Sequence, residues 1–191
     1  MILASSSPRR QEILNMLGVD FKIISPDIDE KKIIEGEDFT NEAARVYAVL
    51  SLSSKKAEAV YKEHSDSIVI ACDTMVFVDG VALGKPRDES DARRMLTMLA
   101  GKTHEVLSGV TIIHGGDISH HWESSKVTFI EHNELFERLV DSYIKDGLYE
   151  GKAGAYGIQD RGALFIKSIE GDYYNIMGLP IEVLRILLKW L

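Results

Sequence analysis

Six separated stretches of this sequence combine small, serine- or glycine-rich residues with a charged side chain suited to phosphate chemistry. They are Ser7-Pro8-Arg9-Arg10, Asp29-Glu30, Lys56, Asp73-Thr74, Gly84-Lys85-Pro86 and the loop Lys152 to Gln159. If these segments converge, Arg9, Arg10, Lys56, Lys85 and Lys152 supply five cations around the carboxylates Glu30 and Asp73. Such a set suits a polyphosphate and a hard divalent cation, because guanidinium and ammonium groups bind phosphoryl oxygens and carboxylates bind Mg²⁺ or Mn²⁺. A carboxylate left beside the phosphates could then take a proton from an attacking water. Spacing alone would leave Glu30 a solvated acid.

The elements that must position these groups can be read around them. Ile2-Leu3-Ala4 is a short apolar run that breaks at Ser5-Ser6-Ser7, and an apolar period of three to four begins at Pro8. Ser7 suits an N-cap and Pro8 the first helical position, where a missing N–H costs nothing. Arginines in a first turn oppose the helix dipole, so Arg9 and Arg10 point to an external anion there. Gly18 fits a left-handed helix cap, and Phe21 to Ile24 a strand. The stretch from Ser25 to Thr40 is acidic and irregular, with Asp27, Asp29, Glu30, Glu35, Glu37 and Asp38 forming a solvated face.

A helix is expected from Asn41 to about His64, capped by Thr40, and it carries Lys56. Ser67 to Ala71 reads as a strand buried on both faces, which places Asp73 at a central strand's end, where ligands collect in α/β sheets. Met75 to Val78, Asp79-Gly80 and Val81 to Leu83 form a hairpin by the Asp-Gly turn signal. A helix capped by Ser90 runs to Leu99. Strands near Val106 to Ile113 and Ile118 to Phe129 join through Gly115-Gly116, and a helix runs from Asn133 to Gly147. Ala163 to Lys167 and Tyr173 to Ile176 flank a turn at Glu170-Gly171-Asp172. Pro180 opens a last, nearly apolar helix, Ile181 to Leu191, compatible with a homodimer interface or equally with a core helix. The order implies an α/β fold with a mixed, partly antiparallel sheet in two lobes around a cleft, residues 1–191 forming a single domain.

Composition bounds the function. With 191 residues and 45% apolar content the chain can fill a sizeable core, and no run is long enough to span a bilayer. A cytoplasmic protein is expected, with no membrane partner. The net charge of -8 argues against nucleic acid as a partner, although cations gathered in one cleft could still bind a compact anion. Cys72 is the sole cysteine, which excludes an internal disulfide and a cysteine-rich zinc site. His120 and His121 would point to opposite faces of a strand, and the other four histidines lack ligand spacing.

Taken together, Leu3 to Leu14, Asp29-Glu30, Lys56-Ala57, Ala71-Cys72-Asp73-Thr74, Gly84-Lys85-Pro86, Lys152-Ala153-Gly154-Ala155-Tyr156-Gly157-Ile158-Gln159 and Gly178-Leu179-Pro180 resemble, in order and across nearly the whole chain, the Maf family of nucleoside triphosphate pyrophosphatases. The resemblance implies hydrolysis between the α- and β-phosphates with a divalent cation, Mg or Mn, and a two-lobed fold like that of inosine triphosphatase with the substrate in the groove. It assigns Asp73 as proton acceptor, Ser7, Arg9, Arg10, Lys56, Lys85 and Lys152 to the substrate, and Glu30 with Asp73 to the metal. The Ser-Pro-Arg-Arg, Asp-Thr and Tyr-Gly-Ile-Gln patterns resemble the branch acting on dTTP and UTP, with Arg9, Thr74 and Gln159 as specificity residues. The family's association with septum formation leaves a non-catalytic regulator of division as the alternative. The chain departs from the family pattern at Ser51, Gly151 and Asp160 and in a long loop after Glu30.

Overall fold

The computed structural model describes residues 1–33 and 38–190. Glu35 and Glu37 of the acidic stretch, and Leu191 at the end of the last helix, lie outside them. In chain order the elements are β1 (Ile2–Leu3), α1 (Pro8–Asn15), β2 (Lys22–Ile23), α2 (Glu30–Ile33), α3 (Glu42–Tyr61), β3 (Val69–Val78), β4 (Val81–Leu83), α4 (Glu89–Leu99), β5 (Thr103–His114), β6 (Asp117–Phe129), α5 (Glu134–Lys145), β7 (Ile166–Glu170), α6 (Tyr173–Met177) and α7 (Ile181–Leu187). Short 3₁₀ turns at Ala153–Ala155 and Arg161–Phe165 interrupt the loop before β7. The strands form one mixed sheet in the order β2-β1-β3-β5-β6-β7, parallel on the β1 side and antiparallel elsewhere, with β4 paired to β3.

β3 is the axis of the molecule. It does not stop at Ala71: the strand runs ten residues straight through Asp73 and Thr74, which pair with Gly109 and Ser108 of β5. Polar residues are tolerated there because their side chains find partners across the sheet. On β3's other edge, β1 pairs only with Val69 and Ile70, and β4 begins only at Val76. Ala71 to Met75 therefore border a gap in the sheet, at the point where β1 turns into the serine loop and α1. A ligand crevice at the carboxyl end of a parallel strand is the expected consequence.

Side chains of β3 alternate between faces, and one face changes its helix partners at the gap. Ile70 and Cys72 pack with α1 and α7 (Ile13, Leu14, Val183, Leu187), whereas Val76 and Val78 pack with α4 and α5 (Leu96, Phe136, Val140). Thr74 lies on β3 between these two cores. On the opposite face Val69, Ala71, Met75 and Phe77 pack under α3, which leaves Asp73 facing that helix. α3 comes unusually close at this point. A Cβ on Gly109, the residue paired with Asp73, would lie 2.5 Å from the Val49 carbonyl carbon. Glycine is required there, and the contact brings Lys56, two turns further along α3, over the Asp73 carboxylate.

Several local expectations are corrected. α3 is capped by Asn41, whose Oδ1 accepts from Ala44 N–H at 2.8 Å, and not by Thr40. α4 is capped by Asp88 and not by Ser90, an anion at the positive end of the helix. Residues 173–176 form a helical turn capped by Asp172. α7 spends its apolar face on the core, with Val183, Leu184 and Leu187 buried. No helix of the described residues is long and apolar enough to cross a membrane.

Candidate active site

All ten sequence-predicted site residues line a single groove of about 660 Å³ at the gap in the sheet: Ser7, Arg9, Arg10, Glu30, Lys56, Asp73, Thr74, Lys85, Lys152 and Gln159. Five cationic side chains and three acidic ones, Glu30, Asp73 and Glu150, face it. On a chain with net charge -8, this gathering makes the groove the place that favours an anion.

Arg10 is held on three sides. Its Nε donates to the Gly178 carbonyl at 2.8 Å, Nη1 to Ser5 Oγ at 3.1 Å and Nη2 to Thr74 Oγ1 at 3.1 Å. Behind it, Thr74 Oγ1 lies 2.8 Å from Ser108 Oγ, and Ser108 Oγ donates to the Asn175 carbonyl at 3.4 Å. Ser108 and Asn175 are completely buried. A guanidinium locked this way loses little rotamer entropy on meeting a phosphate. Ser7 occupies the N-cap position before Pro8, but its hydroxyl makes no capping bond. Its N–H instead donates to Ser5 Oγ at 3.2 Å. Ser5 thus organises both the serine loop and Arg10, a role its place within a serine run did not reveal.

Lys56 is nearly buried, and its ammonium bridges Glu30 Oε1 at 2.8 Å and Asp73 Oδ1. Burial would raise the pKa of Glu30, but the hydrogen bond and charge of Lys56, with Lys85 and Arg10 beyond, outweigh it and hold the carboxyl below its ordinary value. Glu30 is therefore an anion at neutral pH. Asp73 is 8% exposed, and its Oδ2 has no protein partner among the described residues. Lys85 lines the groove and forms no ion pair among the described residues.

The far wall is the loop after α5. Arg9 Nη2 donates to the Gly151 carbonyl at 3.2 Å, and the Arg9 pKa is lowered by burial and by neighbouring Arg10. The Lys152 ammonium is committed to Asp160 Oδ2 at 3.1 Å and to the Leu148 carbonyl, so its charge organises the loop. Tyr156 is anchored to His104 Nε2 at 2.7 Å, and burial pushes that imidazole down to about 3, so it is neutral. Gln159 Oε1 is buried in the groove wall without a hydrogen-bond partner. A buried carbonyl oxygen left unsatisfied is costly unless a ligand donates to it.

Glu30 and Asp73 could hold a divalent cation on the acidic side of this groove. Glu30 and Asp73 already share one cation, the Lys56 ammonium. Among the described residues no group of three or more His, Cys, Asp or Glu side chains surrounds a common point. The oxygen donors of Glu30 and Asp73 are of the hard kind that suits Mg²⁺ or Mn²⁺.

Known proteins are similar to this chain along nearly its whole length. The family model described as Maf-like protein matches residues 1–191. A dTTP/UTP pyrophosphatase from Pyrococcus abyssi (strain GE5 / Orsay) is 42% identical over 189 residues, covering 99% of this chain and 95% of the relative. One from Bacillus cereus is 43% identical over 182 residues, covering 95% and 90%. Another, from Clostridioides difficile (strain 630), is 42% identical over 193 residues, covering 99% and 93%.

Proposed function

The chain belongs to the Maf-like family, and on that footing we propose that it is a metal-dependent pyrophosphatase that hydrolyses dTTP and UTP between the α- and β-phosphates, giving the monophosphate and pyrophosphate. The observation that carries this reading is the meeting of Arg10, Lys56 and Lys85 with Asp73 in one groove, together with relatives named dTTP/UTP pyrophosphatase.

In this reading Asp73 accepts a proton from water, the water oxygen bonds to the α-phosphorus, and the bond from that phosphorus to the bridging oxygen breaks. Pyrophosphate leaves with the electron pair. Arg10 and Lys85 neutralise charge on the phosphates, Arg10 without rearrangement because its three contacts already fix it. Ser7 and Arg9 stand at the mouth of α1, beside the phosphate path. Lys56 offsets the mutual repulsion of Glu30 and Asp73. Glu30 and Asp73 would hold Mg²⁺ or Mn²⁺, which supplies Lewis-acid polarisation of the phosphoryl oxygens when bound. Gln159 offers an acceptor and donors to the edge of the base, and Oε1 finds in the ring N–H of uracil or thymine the donor that it lacks in the protein. A cytoplasmic setting, where nucleoside triphosphates are made and used, belongs to the same reading. A nucleic-acid-binding regulator is disfavoured by the net charge of -8.

A panel of nucleoside triphosphates assayed with Mg²⁺ or Mn²⁺ tests the proposal. dTTP and UTP should give pyrophosphate and the monophosphate, and excess EDTA should reduce the rate at least about a hundredfold, with recovery on adding the cation back. Release of inorganic phosphate with the diphosphate as co-product would refute the bond assignment.

A further inference from the structure

Asp160, next to Gln159, stands at the centre of a knot of contacts that the proposed chemistry does not use. Its Oδ1 accepts from the Tyr143 hydroxyl at 3.1 Å and from Gly162 N–H at 2.7 Å, and its Oδ2 faces the Lys152 ammonium at 3.1 Å. The Tyr143 hydroxyl also accepts from Gly157 N–H at 3.1 Å. No slack remains. A Cβ on Gly157 would lie 2.7 Å from Asp160 Oδ2 and 2.8 Å from Lys152 Cε, and one on Gly162 would lie 2.5 Å from the Gly157 carbonyl oxygen. Burial and the Asp160 charge both raise the Tyr143 pKa, so the phenol remains a donor. The knot therefore ties α5, the start of the loop and the 3₁₀ turn together on both sides of Gln159. Arg9 is tied to the same unit through Gly151, the neighbour of Lys152.

What such rigidity accomplishes follows from the chemistry of a carboxamide. Gln159 carries both an acceptor and donors. A glutamine free to move and turn would serve either a base with a ring N–H, such as uracil or thymine, or one with a lone pair at the same position, such as cytosine. Held with Oε1 buried and unpartnered in the groove wall, it satisfies the first and opposes the second. We propose that Asp160, acting through Tyr143 and Lys152, is a positioning residue that fixes Gln159 and so sets a preference for UTP and dTTP over CTP. This rests on the reading of Gln159 as the group that meets the base.

UTP and CTP share sugar, phosphates and ring size, so their kcat/KM ratio isolates the base edge. Asp160→Ala should lower that ratio about tenfold, the worth of roughly one well-placed hydrogen bond. The change should come from a higher KM for UTP, with kcat for UTP within about twofold. Inhibition by inorganic triphosphate, which has no base, should be unchanged. Asp160→Asn, which keeps the acceptor for Tyr143 and Gly162, should recover most of the ratio. Should Asp160→Ala fail to fold, Tyr143→Phe removes the bridging hydroxyl alone and must show the same fall. An unchanged ratio in both Asp160→Ala and Tyr143→Phe overturns the inference, as does an equal weakening of triphosphate inhibition. Gln159→Ala separates the two readings. If it leaves the ratio intact, the base-contact reading has failed; if it collapses the ratio while Asp160→Ala does not, only the positioning role has failed.

Discussion

Asp73→Asn should lower pyrophosphate release from dTTP by about 10³-fold or more, with KM changed by no more than about threefold. A positioned general base is worth roughly 10² to 10⁴ in rate, and its loss falls on the transition state, so kcat carries the change. Asparagine keeps the shape and an oxygen that can accept from Lys56, and Lys56 retains its pairing to Glu30. The strand should therefore hold its register, and thermal unfolding should shift little. Steady-state kinetics and a thermal melt on the same preparation check this. Retention of a tenth or more of the wild-type kcat would remove Asp73 from the role of base.

Lys56→Met should damage both activity and stability. The variant keeps the apolar stem under α3 but leaves two carboxylates facing each other near the floor of the groove. Removing one partner of a buried ion pair costs about 3–5 kcal/mol, and because Glu30 is nearly half exposed the lower part of that range is expected at pH 8. The pH dependence has a definite sign. In the native protein Glu30 titrates below its ordinary value, so its share of stability is present above that ordinary value and lost as pH falls through the depressed one. In the variant Glu30 loses the hydrogen bond and charge that hold its pKa down, so the deficit should shrink as pH falls through its ordinary value. Urea unfolding at several pH values reads this directly. A deficit that grows on acidification would contradict the ion-pair account. Activity should fall at least about a hundredfold, since Lys56 holds in place the Asp73 carboxylate that the proposed chemistry uses as its base.

How much of this was legible in the sequence follows from the range over which each signal acts. The serine loop, Pro8, the Asp79-Gly80 turn and the diglycine hairpin are local, and the structure has them where the sequence puts them. The ten site residues carry charge or hydrogen-bonding groups in small-residue contexts, so they stood out individually, and resemblance tied them to one site that the groove then brings together. What escaped depends on pairing across the sheet. An apolar run meeting a polar pair implies a strand ending at Asp73; only the partners Gly109 and Ser108 on β5 explain why β3 continues. The competition between Asn41 and Thr40, or between Asp88 and Ser90, for a cap is settled by the angle at which the chain enters the helix, which residue type alone does not fix. Ser5, Ser108, Asn175 and Tyr143 were invisible because their importance lies in the groups they hold, and Gly109 because its role is to leave room where α3 crosses. Charge and resemblance mark Lys152 as a substrate residue, and the structure also pairs that charge with Asp160, a residue the sequence marks only as a departure from the family pattern.

For the proposed chemistry to hold, cations distant in sequence must close around a triphosphate and leave Asp73 beside the α-phosphorus. A crystal structure with a non-hydrolysable α,β-methylene analogue of dTTP and Mg²⁺ decides this. The triphosphate is expected among Arg10, Lys56 and Lys85, with the α-phosphorus as the phosphorus nearest Asp73 and the thymine edge against Gln159. An analogue bound outside the groove, or one seated with its γ-phosphorus toward Asp73, would contradict it.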